Sequence, residues 1–256
     1  MASPIWLESL ADIPSLRDFS CHEIPWDFWY RARNTHNWSG IDATITNLLC
    51  NVQSLSLTVS FGYLGDFRGG NALWRLFLFV QTSTQLKKLY LDFQRYAGKY
   101  HEAEPPDGWG RYGPNQDREH WFKDLTNISP LMERLRLPNI RTFHICHCEF
   151  SQGAFIGFMR NHYSTLKELY LKAIQLSQSG QVPNSWSGAI WNVAGMLALE
   201  KAGLDGLQDN FIEARRKFDA PLQERDDAVP KQQRFLCDLT SYLLQQGRTS
   251  RPSWPE

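Results

Sequence analysis

Neither charge is in excess in this chain, since 27 basic residues are balanced by 27 acidic ones. A neutral chain exerts no long-range pull on nucleic acid or an anionic membrane, so neither is expected as a partner. Long apolar runs are also missing: no segment approaches the roughly 18 uninterrupted apolar residues of a membrane span. The N-terminus has no basic region followed by an apolar stretch, which predicts a cytoplasmic or nuclear protein. Cysteines are few, at 21, 50, 146, 148 and 237, odd in number and without CxxC spacing. That pattern excludes a disulfide framework and gives no structural zinc motif. There is no GxSxG elbow, no Cys and His constellation and no Walker spacing around Gly62 to Gly70. No catalytic residue and no cofactor is therefore expected, and the reading is of a protein that is not an enzyme.

What is present is one short pattern, repeated. Residues Ile140 to Leu171 hold two copies of it, Ile140, Phe143, Ile145 and Cys148, then Leu166, Leu169 and Leu171. The first fits LxxLxLxxC, in which the apolar positions turn inward along a strand and the last closes the turn behind it. Between the copies Ser151 is placed to cap a helix whose Phe155, Phe158, Met159 and His162 recur at helical spacing. Leu16, Phe19, Cys21 and Ile24 repeat the pattern near the N-terminus, followed by Val52, Leu55 and Leu57, then Leu86, Leu89 and Leu91. The first anchors are 36 and 34 residues apart, but Ile140 follows Leu86 by 54. Tyr100 to His120, with three prolines and three glycines, accounts for the excess, and an insertion loop is expected at about 96–120.

Strand, helix and strand again predicts an α/β leucine-rich-repeat solenoid of about five irregular units, with a parallel inner sheet and outer helices. Residues 1–205 form that domain. Glu119 to Met132 is expected to be helical, Ser185 to cap a helix carrying Trp186, Ala189, Ile190 and Val193, and residues 197–204 to add a last degenerate strand. Residues 206–256 are expected to be a helical, partly flexible tail, with helices at Leu207 to Phe218 and Lys231 to Gln246 separated by Pro221 to Pro230. A polar covering of this kind is what a terminal repeat needs.

The segment LPNIRTFHICHCEFSQGAFIGFMRNHYSTLKELYLKAIQL, followed by NSWSGAIWNV, resembles the leucine-rich-repeat region of fungal F-box proteins. Leu137, Pro138, Cys148, Arg160, His162, Thr165, Leu166 and Trp186 carry the likeness, which spans roughly residues 10 to 205. The resemblance implies that the repeat surface holds a protein target, as the recognition half of a ubiquitin-ligase receptor. Full-length members begin with an F-box that docks on a cullin-ligase adaptor. Residues 1 to 50 contain nothing of the kind, so the adaptor is a partner without support in this chain.

In LxxLxL the residue between the last two inward positions leaves the opposite face of the sheet. This selects Ser20, Ser56, Tyr90, His144 and Tyr170 as one row, flanked by Lys87, Lys88, Arg141, Lys167 and Lys172. Aromatic and basic groups together are the anchors of protein interfaces. Trp109 and Tyr112 are added as loop candidates. The alternative is a glycan- or metal-binding module, using the aromatic loops or the His144 and Cys146 cluster, because rings stack on sugars and imidazole and thiolate ligate zinc. The repeat already uses Cys148 as an inward turn residue, so no metal ligand is assigned.

Overall fold

The computed structural model of the chain describes residues 16–25, 50–60, 76–77, 80–81, 83–93, 126–177, 185–207, 222–248 and 250–251. Its centre is a parallel sheet built from β1 (Asp18–Pro25), β2 (Ser54–Ser60), β3 (Lys88–Asp92), β5 (Thr142–Ser151), β6 (Glu168–Ser177) and β7 (Lys201–Asp205), in that order. A two-residue strand, β4 (Thr126–Asn127), pairs with Cys148 and Glu149 of β5, beyond the end of β3. Every pairing is parallel. The helices that follow strands are α1 (Ser129–Met132), α2 (Gln152–His162), α3 (Trp186–Ala194) and α4 (Leu222–Leu244). The protein is thus α/β, with a parallel sheet and few helices.

Register follows the apolar spacing. Phe19, Leu55, Leu89, Phe143, Leu169 and Ala202 lie side by side across six strands, and Cys21, Leu57, Leu91, Ile145, Leu171 and Leu204 form the next inward row. From Leu55 to Leu171 these side chains are at most 1% exposed. Burial of that order contributes about 1.5–3 kcal/mol per side chain, so the two rows hold the strands in step. Phe158 of α2 meets Phe143 at 4.5 Å between ring centroids, and Trp186 of α3 stands edge-on to Phe150 and Phe155 at 5.8 and 5.4 Å. Both helices begin as expected: Ser151 Oγ accepts from Ala154 N, and Ser185 Oγ from Gly188 N, each at 3.1 Å.

A second regularity lies just ahead of the strands. The carbonyl of Arg17 accepts two amides, from Gln53 and Ser54, and the same double bond recurs at Gln53, Lys87, Arg141 and Lys167, each toward the next strand. Arg17, Gln53, Lys87, Arg141, Lys167 and Glu200 thereby form one hydrogen-bonded row. A carbonyl oxygen has two lone pairs, and here both are used five times over.

Inside β5 and β6 the chain bends at a left-handed residue. His147 has φ of 54° and Ala173 of 50°, and Gly206, the residue after β7, has 58°. The bend lets Cys146 face away from the core while Cys148, two residues later, is fully buried within it. Only glycine takes this conformation freely, whereas a Cβ costs roughly 1 kcal/mol. Ala173→Gly is therefore expected to stabilise the protein by about 0.5–1 kcal/mol, raising the thermal midpoint by roughly 2 °C. A circular-dichroism melt with no rise would show that the bend is unstrained.

Two expectations need correction. Residues 119–132 do not form one helix: Thr126 and Asn127 are strand, Asn127 Oδ1 caps Ser129 N at 2.9 Å, and α1 starts only at Ser129 with Pro130 in its first turn. Proline lacks an N–H and fits a first turn far better than a helix interior. Pro221 to Pro230 is not a separator either, since α4 runs through Pro230. The helix survives the lost backbone bond because its later turns are packed. Phe235, Leu236, Leu239, Tyr242 and Leu243 recur at helical spacing and are buried, with α4 set against β7 and α3. The insertion loop at 96–120 lies outside the described residues, as does the expected helix from Leu207 to Phe218 beyond its first residue, Leu207, which is buried coil.

Candidate recognition surface on the sheet

The row chosen from the spacing is in register in the structure. Ser20, Ser56, Tyr90, His144 and Tyr170 pair strand to strand, and Gly203 of β7 completes the row. The three rings touch: Tyr90 meets His144 edge-on at 4.6 Å and His144 meets Tyr170 at 5.4 Å. Gly203 is needed where it stands, because a Cβ there would lie 2.9 Å from Tyr170 Cδ1. Tyr170 therefore leans over the end of the row. Beyond it a groove of about 510 Å³ opens between β7 and α4, lined by Gly203, Leu204, Asp205, Leu236, Cys237 and Thr240 among others.

Beneath Tyr90 lies a polar knot that sequence reasoning missed. Asp92 is 3% exposed, accepts from the Tyr90 hydroxyl at 3.2 Å, and sits 2.7 Å from His147 Nδ1. Cys146 occupies the paired position on β5. Burial pushes the Cys146 thiol up to about 12, and the nearby Asp92 charge adds to the rise. Burial, then Cys146 and Asp92, raise the Tyr90 phenol above its ordinary value. His144 is held below its usual value, chiefly by burial, with Asp92 opposing and Lys172 assisting. A thiol this protonated is a poor nucleophile and a poor metal ligand. The knot depends on the left-handed bend at His147, which no apolar period in the sequence reports.

The five residues HICHC are thus divided among three surroundings. His144 stands in the ring row, His147 on Asp92, and Cys148 in the core. Among the described residues no group of three or more His, Cys, Asp or Glu side chains is placed to hold a metal ion. Two of the ten tryptophans are described: Trp186 is buried and Trp191 is half-buried, with Arg251 5.3 Å over its ring. Trp109 and Tyr112, and the aromatic loop at 26–38, lie outside the described residues.

The flanking cations are placed as follows. Lys87, Arg141 and Lys167 lie in the hydrogen-bonded row ahead of the strands, together with Arg17, which sequence reasoning did not select. Its signal was available: Arg17 precedes Ser20 by the three residues that separate Lys87 from Tyr90. Lys87 Nζ donates to Gln53 Oε1 at 2.9 Å, and Lys167 Nζ to the Ala198 carbonyl at 3.4 Å. Glu168 pairs with Lys201 at 2.9 Å, and that hydrogen bond is the first cause of its lowered carboxyl value.

No family model, curated protein or solved structure matches the chain. Among the described residues no helix is long and apolar enough to cross a membrane.

Proposed function

We propose that the chain is a leucine-rich-repeat solenoid whose sheet face recognises a protein target without catalysis. The observation that carries this reading is the continuous strip Tyr90, His144 and Tyr170, three rings in contact on adjacent strands and turned away from the core. Rings set by a rigid sheet lose little entropy on binding and are typical interface anchors. The repeated apolar rows and the double bond at five successive carbonyls support the solenoid, because both are what one unit copied along an axis produces. The resemblance to the repeat region of fungal F-box proteins points the same way, toward the target-binding half of a ubiquitin-ligase receptor or a relative without that link. A cytoplasmic or nuclear setting fits this role.

Tyr170 is the better residue to test. Removing Tyr90 would also uncover Asp92, so its effect would mix recognition with folding. Tyr170→Ala is expected to weaken a partner, recovered by affinity purification and mass spectrometry and then purified, by about tenfold or more. The thermal midpoint should move by no more than about 2 °C, as expected for a partly exposed side chain. Equal affinity of variant and wild type for that purified partner would sink the reading.

A further inference from the structure

On the reading of the sheet face as a recognition surface, the charge along its rim restricts what the partner carries. Arg17, Gln53, Lys87, Arg141, Lys167 and Glu200 share one row, and four of the six are cations. Neighbouring strands are about 4.8 Å apart, so Lys87, Arg141 and Lys167, each one residue ahead of the consecutive strands β3, β5 and β6, bring three cationic residues within about 10 Å of one another along the backbone row. Lys88 follows Lys87 and is exposed. Like charges at adjacent positions repel one another. A protein of zero net charge that gathers them on one rim leaves a local demand for anions.

Few of the protein's own acids meet that demand among the described residues. Glu168 is committed to Lys201 at 2.9 Å and accepts from Thr142 Oγ1 at 3.3 Å. Lys87 and Lys167 make neutral hydrogen bonds, to an amide and a carbonyl. Arg141 makes no side-chain hydrogen bond or ion pair among the described residues and is exposed. Its planar guanidinium is suited to grip a carboxylate with two parallel bonds.

The row stands three residues ahead of the ring strip, Lys87 before Tyr90, Arg141 before His144 and Lys167 before Tyr170. At about 3.3 Å per residue that is roughly 10 Å, within reach of one short peptide lying across both. The charge is also bounded. Asp18 follows Arg17 at one end and Glu200 closes the row at the other, so a long polyanion would meet repulsion at both ends. Five strand spacings, about 24 Å, separate them, which about seven residues of extended chain span.

We infer that the partner presents a short Asp- or Glu-rich segment to the Lys87, Arg141 and Lys167 rim, with an aromatic side chain of that segment resting on the rings of Tyr90, His144 and Tyr170. The test uses the full chain and a fluorescein-labelled copolymer of glutamate and tyrosine, read by fluorescence anisotropy. Binding is expected, and it should weaken severalfold once salt exceeds about 0.15 M, where the screening length is about 8 Å. Arg141→Gln and Lys167→Gln are each expected to weaken it about fivefold, whereas Arg160→Gln, exposed on α2, leaves it unchanged. Failure of the wild type to bind, equal binding of a lysine and tyrosine copolymer, or tighter binding of single-stranded oligothymidylate would overturn the inference. If Arg141→Gln and Lys167→Gln bind like wild type while Tyr170→Ala does not, the acidic segment is refuted and the ring strip stands. If all three variants bind like wild type, both fall.

Discussion

His162→Ala is expected to lower the free energy of unfolding by about 3 kcal/mol, which for a chain of this size is a fall of roughly 10 °C in the thermal midpoint. His162 ends α2, is 1% exposed, and packs on Phe158 with ring centroids 4.2 Å apart. Its Nε2 lies 2.9 Å from the Leu137 amide, and its Nδ1 lies 2.7 Å from the Phe158 carbonyl. An amide can only donate and a carbonyl can only accept, so the ring is neutral with its proton on Nδ1. Truncation leaves a buried N–H without a partner and opens a cavity beneath Phe158, and both effects destabilise.

The same geometry fixes a pH dependence. Burial lowers the His162 value, the Phe158 carbonyl opposes the shift, and Arg136 adds to it. The unfolded chain therefore takes up a proton near pH 6.5 that the folded chain refuses until lower pH. Stability from this group is complete above about pH 6.5 and is lost as pH falls through the lower folded value. His144, also lowered by burial, acts in the same direction in wild type and variant alike. Below pH 6.5 the midpoint of His162→Ala should thus fall less steeply than that of wild type. Parallel curves would remove His162 from the explanation.

His147→Ala is the second large effect, about 3 kcal/mol destabilising, because it strips a partner from a carboxylate that stays buried. His147 and Asp92 side chains are 21% and 4% exposed and 2.7 Å apart. Asp92→Ala alone should cost a similar amount. The double variant should cost much less than the sum, since a buried pair removed together leaves no uncompensated charge. Chemical denaturation of the four proteins measures the coupling, and additivity within about 0.5 kcal/mol would mean that the pair is not a unit.

How far the sequence could be read depends on which forces leave a period behind. Apolar burial does, and Leu55, Leu89, Phe143 and Leu169 announce strand, register and face together. Once those inward positions are known, alternation gives Ser56, Tyr90, His144 and Tyr170. Backbone conformation leaves no such trace. Nothing in HICHC says that His147 turns left-handed, and that turn decides that Cys146 meets Asp92 while Cys148 enters the core. Pairing across 55 residues, from Asp92 to His147, is equally silent in a single chain. The tail misled for a different reason. Pro230 reads as a breaker, but the buried stripe from Phe235 to Leu243 holds the helix on the sheet despite it.

The long pairing of β5 with β6 has a consequence for how the surface persists. Nine residue pairs join these strands, against five for β6 with β7. Opening events in a folded chain begin where cohesion is least, so transient breathing starts at the outer strands and reaches the middle last. His144 and Tyr170 ride on the middle pair. A ligand arriving during such a fluctuation would still find those two rings side by side.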